Sequence, residues 1–233
     1  MSCIVFDTST IISLVTNNLL SVLGSLKKRY GGELCMPHAV KGEVIDRPLQ
    51  SKRFKFEAMQ VMHEIANGTL SLKKEPQEEV TRILNLANTI FMAHGNYIRL
   101  LHWGEAAMLA LAKRISADAI AVDERTTRLM VESPKTLARI LEKKMHTRIE
   151  TNNKNLKLFR EYTKGMTVIR SAEIAVLAYD AGLLNAYMSP KIRKIAQINP
   201  RRDLLDGILW GVKLRGCSIN SEEISRILSL KGY

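Results

Sequence analysis

Four carboxylates stand where an α/β chain would gather them. Asp7 follows the apolar run CIVF, and Asp123 follows ADAIAV. Glu43 lies in the segment PHAVKGEV, and Glu105 opens GEAAMLALA. In open α/β sheets ligands bind outside the carboxyl ends of the strands, so Asp7 and Asp123 should emerge at one edge. Glu43 falls on a helix after a second strand, and Glu105 starts the helix before the Asp123 strand. Acids crowded at one edge repel one another, which raises some of their pKa values unless a cation sits among them. A hard divalent ion such as Mg²⁺ or Mn²⁺ takes carboxylate oxygens and waters. Such a pocket in a basic protein suits phosphodiester cleavage, with Lys and Arg holding phosphates while the metal activates water. Each acid also has a plainer role. Asp7 can cap the helix after it, Glu105 can favour a helix dipole, Asp123 can sit in a turn, and Glu43 can be a solvated surface group.

The elements that must position these groups alternate along the chain. Cys3–Phe6 lacks polar alternation and suits a parallel strand covered on both faces. Thr8 to Thr10 offer hydroxyls to cap the following helix. Glu33–Met36 is a second strand, and Pro37 is expected to begin a helix in which Val40 and Val44 pair at i, i+4. Residues 52–67 and 76–93 read as helices, and the Ala/Leu/Met-rich segment after Gly104 as a strong one. Residues 135–146 and 152–164 are expected to be helical. MTVIR (166–170) reads as a strand, followed by a helix that Ser171 should cap, with Glu173 in its first turn. The tail reads as a helical pair broken near Gly216. This alternation argues for an α/β protein with a central parallel sheet, helices on both faces and a helical C-terminal extension.

Composition narrows the function further. The 233 residues carry 35 Lys and Arg against 23 Asp and Glu, a net charge of +12. A protein so basic usually meets a polyanion. Between Lys135 and Arg215 there are 17 Lys and Arg against 7 Asp and Glu, so most of the excess lies in the C-terminal part, notably in RILEKKMHTR and KIRKIAQINPRR. That asymmetry favours a phosphate-binding surface beside the acidic pocket, one that confers affinity without sequence choice. Tyr162 and Tyr179 sit among apolar residues at helical spacing, as core residues do. Cys3, Cys35 and Cys217 form no CxxC pair, which fits packed thiols in a reducing compartment, and the cytoplasm is the expected location. No stretch reads as a membrane span or secretory signal. His38, His63, His94, His102 and His146 show no HExxH or other metal spacing. A GxxxxGK[ST] loop and a glycine-rich dinucleotide turn are absent, and Ser9 stands where a dehalogenase-like phosphatase needs a second Asp.

The order VFDTSTII, PHAVKGEV, GEAAMLALA, AIAVDERTTR resembles the PIN-domain nucleases over roughly residues 3–130. The tail DLLDGILWGVKLRGCSINSEEISRIL resembles that of a prokaryotic, mostly archaeal subgroup with a GEA third motif. The family also includes toxin ribonucleases of toxin–antitoxin pairs. The resemblance implies a three-layer α/β/α fold and a metal-dependent endoribonuclease with Asp7, Glu43, Glu105 and Asp123 as catalytic residues. Asp7, Glu105 and Asp123 would ligate Mg²⁺ or Mn²⁺, and Glu43 would be a ligand or orient the attacking water. Thr8 or Ser9 would match the small hydroxyl residue that binds a metal water. Single-stranded RNA is the implied partner, with a homodimer and an inhibitory protein as further family partners. On this reading residues 1–150 form the nuclease domain and 151–233 a basic part continuing its sheet and helices. Residues 130–200 exceed the simple domain and offer an insertion, a dimerisation arm or an RNA-binding surface. The competing reading is a PIN-like module that binds RNA without cutting it.

Overall fold

The computed structural model describes residues 2–189, 191, 192, 195 and 198–233. Short runs rich in β-favouring residues form the centre. β1 (Cys3–Phe6) pairs with β2 (Glu33–Pro37) on one side and with β6 (Ala119–Ala121) on the other. β3 (Leu70–Lys73) extends the sheet beyond β2, and β8 (Thr167–Ile169) extends it beyond β6. All four pairings are parallel, and the order is β3-β2-β1-β6-β8. Parallel strands need covered crossovers, and both faces are covered.

The pleat divides the side chains between two cores. Phe6, Leu34, Met36 and Ala121 pack with α1 (Thr8–Thr16), α2 (Val22–Tyr30), α11 (Ser171–Asp180) and the last two helices, Pro200–Leu214 and Ser221–Leu230. Val5, Cys35, Ile120 and Val122 pack the other way, against α6 (Gln77–Ala87), α7 (Trp103–Arg114) and α10 (Asn153–Tyr162). The result is the expected α/β/α sandwich. Leu205, Leu209, Val212 and Ile224 of the C-terminal helices are buried in the same core as Ile11 and Leu14 of α1.

Several elements differ from the sequence reading. The helix expected over 76–93 ends at Ala87, and Phe91–Ala93 is β4 of a small antiparallel sheet with β5 (Asn96–Tyr97) and β7 (Glu150–Thr151). Asn88 makes the break: its Oδ1 accepts from Leu100 N at 2.7 Å and Leu101 N at 2.9 Å, clamping the returning chain. The helix expected from residue 52 starts at Lys55 as α5 (Lys55–Ala66), because Phe54 is left-handed at φ +65°. Pro37 does not begin a helix; it ends β2 and is the N-cap of α3 (His38–Lys41), while Glu75 accepts from His38 N at 2.9 Å. That helix continues through a π-type stretch, Gly42–Asp46, and a short turn of α4 (Arg47–Leu49). Chain-distant Cys3 and Cys35 meet across β1 and β2, with their sulfurs 3.0 Å apart. Tyr162 is buried, as expected of a core residue, and Val40 and Val44 are buried together. The break near Gly216 is present, at φ +114°. Arg193 and Lys194 of the basic run KIRKIAQINPRR lie outside the described residues. Among the described residues, no helix is long and apolar enough to cross a membrane.

Candidate active site

The four carboxylates are held around the carboxyl edge of the sheet by a chain of short contacts. Asp7 follows β1 and is the N-cap of α1. Its Oδ2 accepts from Ser9 N at 3.1 Å and from Ser9 Oγ at 2.6 Å. The same Ser9 Oγ accepts from Asp123 N at 3.0 Å and from Glu124 N at 3.3 Å. One serine hydroxyl therefore ties the ends of β1 and β6 together. Neighbouring Thr8 reaches the other way, and its Oγ1 donates to Glu43 Oε2 at 2.6 Å.

Glu43 lies in the π-type stretch, where the wider turn re-aims side chains. It lies against the start of α7. A Cβ added at Gly104 would lie 3.0 Å from Glu43 Oε1, so only glycine leaves that carboxylate undisturbed. Gly104 precedes Glu105, whose Oε2 accepts from His102 N at 2.9 Å. Glu105 also acts on Asp7: burial pushes the Asp7 carboxyl up to about 7, Ser9 opposes that rise, and the charge of Glu105 adds to it. So Asp7, Glu43 and Glu105 share one neighbourhood, and Ser9 joins Asp123 to it.

Asp123 is fully buried. Its Oδ1 accepts from Ser171 N at 2.7 Å and its Oδ2 from Ser171 Oγ at 2.6 Å. Ser171 was expected to cap its own helix. Instead Arg170 holds the cap position and the Ser171 hydroxyl serves Asp123. The charge of Asp123 adds to burial in pushing the nearby Cys217 thiol up to about 12. Its backbone is held as well: Ser218 N donates to Asp123 O at 3.0 Å. Two arginines fix that Ser218 turn. Arg170 donates to Ser218 O at 3.0 Å while bridging Glu173 at 2.6 Å and Glu223 at 3.1 Å. Arg128 donates to Ser218 Oγ at 3.0 Å. The last two helices therefore support Asp123 through their connecting turn.

This wiring explains how four acids coexist. Asp7 sits at the N-terminus of α1, Glu105 at that of α7 and Asp123 at that of α11. Helix N-termini present free N–H groups and partial positive charge, which favour carboxylates. The plainer roles of Asp7 and Glu105 are thus real, and they coexist with the clustering. Glu124 accepts from Thr127 N at 2.6 Å and caps α8 (Arg125–Glu132). Among the described residues, no three His, Cys, Asp or Glu groups meet at metal-ligand spacing. Each carboxylate is turned instead toward a hydroxyl or N–H group. The donor set is nonetheless all oxygen, from carboxylates and hydroxyls, and matches a hard divalent cation.

Sequence reasoning named the four acids and the Thr8–Ser9 pair. It missed Gly104 as a packing requirement and Ser171 as the partner of Asp123. Ser171 follows β8, so the rule that placed Asp7 and Asp123 at the sheet edge also points to it. Ser218 gave no signal, since its role arises from the packing of the tail. No curated protein matches this chain. A family model described as a PIN domain matches residues 3–136, more than half of the chain, and this span contains Asp7, Glu43, Glu105 and Asp123. Both the match and the parallel sheet that carries these acids agree with the motif order, and the chain belongs to the PIN-domain family.

Proposed function

We propose that this protein is a divalent-metal-dependent endoribonuclease. PIN domains are generally nucleases, and a phosphodiester hydrolase is the family-level reading. The observation that supports the finer one is the convergence of Asp7, Glu43, Glu105 and Asp123 through Ser9, Thr8 and Gly104. Asp7, Glu105 and Asp123 would hold Mg²⁺ or Mn²⁺. When bound, such an ion makes water a stronger nucleophile and offsets charge on the phosphate.

The chain's own residues supply the rest. Without a cation, burial raises the Asp7 carboxyl to about 7, so its proton would be displaced on metal binding near neutral pH. Ser9 fixes its Oδ2 and Thr8 fixes Glu43 Oε2, so both carboxylates are oriented before substrate arrives. Glu43 would complete the metal site or orient the attacking water. Ser171 holds both oxygens of Asp123 on a rigid helix start. The basic C-terminal part would bind phosphates and draw a polyanion toward the acidic edge. Single-stranded RNA is the proposed substrate class, and the cytoplasm the proposed location.

The test is cleavage of a mixed-sequence single-stranded RNA, and of the matching DNA, with Mg²⁺, Mn²⁺ or EDTA. The proposal expects internal cuts in RNA that require metal. Folded protein that binds RNA but never cuts it would establish the binding-module reading instead.

A further inference from the structure

A second feature adjoins Glu43. Phe54 caps α5 at φ +65°, a conformation that L side chains rarely adopt and that is uncommon for a bulky residue. Phe54 is 43% exposed, so core packing does not explain the strain. Backbone strain of this kind persists where the surrounding structure over-determines it, and it gathers at ligand sites. The ring flanks a cleft of about 110 Å³ between α1 and α5. Ile12, Pro48 and Val61 line it with Phe54, as do two acidic residues, Glu43 and Glu57. Glu43 is thus shared with the acidic edge. Glu57 is half-buried and has no hydrogen-bond or ion-pair partner among the described residues.

Among the described residues the cleft itself holds acids and no Lys or Arg, and cations lie on the segment beside it. Residues 47–56 hold Arg47, Lys52, Arg53 and Lys55 and no acid. All four are exposed, and among the described residues none is in an ion pair. Arg53 lies 4.8 Å from the centroid of the Phe54 ring, so a cation and an aromatic face are presented together. A stacking surface with phosphate-binding cations is the chemistry of single-stranded nucleic-acid recognition. We propose that this cleft holds one unpaired guanine of the RNA beside the cut site, stacked on Phe54 and read by Glu57. This rests on the ribonuclease reading of the acidic edge. Guanine is the base whose pairing edge presents two adjacent donors, N1–H and the exocyclic amine, to match the two oxygens of a carboxylate. Adenine and cytosine offer a donor beside an acceptor, and the acceptor would face Glu57 with like polarity.

The test uses the full chain in EDTA and two labelled seven-nucleotide RNAs, one with a single central G among U residues and one with A there. Anisotropy should show the G probe binding at least tenfold tighter. Phe54→Gly should weaken both probes about tenfold or more, in line with loss of base stacking. That change suits the backbone, so its thermal midpoint should hold or rise. Glu57→Gln should abolish the G-over-A preference while the protein stays folded. Unchanged affinity in Phe54→Gly, or an unchanged preference in Glu57→Gln, overturns the assignment. If Phe54→Gly instead alters the mass by light scattering and leaves RNA affinity unchanged, the cleft is a contact between copies and the assignment fails. Metal-dependent cleavage by wild type that persists through such a failure leaves the nuclease reading standing. Absence of any cleavage or RNA binding by wild type removes both.

Discussion

Replacing Asp7 by Asn isolates the cost of burying charge at the acidic edge. Burial and the neighbouring Glu105 raise the carboxyl from 3.8 to about 7, against the pull of Ser9. The folded protein therefore binds this proton more tightly than the unfolded chain. The associated stability is fully present below about pH 4 and is lost as pH rises through about 7. A rise of about three pKa units corresponds to about 4 kcal/mol between protonation states. Asn carries no charge and keeps an acceptor for Ser9, so in EDTA at pH 8.5 Asp7→Asn should be more stable than wild type by about 2–4 kcal/mol. For a chain of this size that is about 4–16 °C in thermal midpoint. At pH 4.5 the two proteins should nearly coincide. Excess Mn²⁺ at pH 8.5 should narrow the gap by raising the wild-type midpoint alone, because a ligand bound only to the folded state stabilises by mass action. Thermal scans by circular dichroism across pH 4.5–8.5, with EDTA or Mn²⁺, read all of this. An Asp7→Asn protein no more stable than wild type at pH 8.5 would refute the reasoning, since the buried charge would then carry no cost.

Other consequences follow from the contacts. Gly104→Ala adds a Cβ 3.0 Å from Glu43 Oε1; it should lower cleavage about tenfold or more while stability holds, because Ala favours the helix by about 1 kcal/mol over Gly. Ser171→Ala removes one of two donors from the fully buried Asp123, and urea unfolding should show a loss of about 1–3 kcal/mol together with reduced turnover. Arg170→Met leaves Ser218 O with only the 3.5 Å contact from Arg128 and removes the ion pairs of Glu173 and Glu223. Both glutamates are partly exposed, so the expected loss is modest, about 1–2 kcal/mol, with proteolysis first appearing near residues 216–220.

Legibility followed locality. The strands of the large sheet that show uniform apolar runs, β1 and β6, were readable because burial on both faces leaves no alternation. The acids at their ends followed from one topological rule. The break at Asn88 was hidden because a side-chain clamp onto Leu100 and Leu101 overrode an otherwise helical pattern. β3, with Ser71 and Lys73, shows no uniform apolar run, and β5 and β7 are only two residues each. Phe54 was unreadable for a different reason: nothing in a phenylalanine announces a left-handed backbone. Within the site, residue types were legible and partners were not. Ser9 and Thr8 could be named, but which acid each serves depends on the three-dimensional meeting of β1, α3 and β6.

The most direct test of the central claim is the cleavage rate of single-stranded RNA in saturating Mn²⁺ by four folded variants: Asp7→Asn, Glu43→Gln, Glu105→Gln and Asp123→Asn. If these carboxylates form one metal-dependent site, each change should cut the rate at least a hundredfold, and a double change should cost little more than the worse single one. Four variants that cut RNA at wild-type rates, or rates that fall independently and additively, would contradict it.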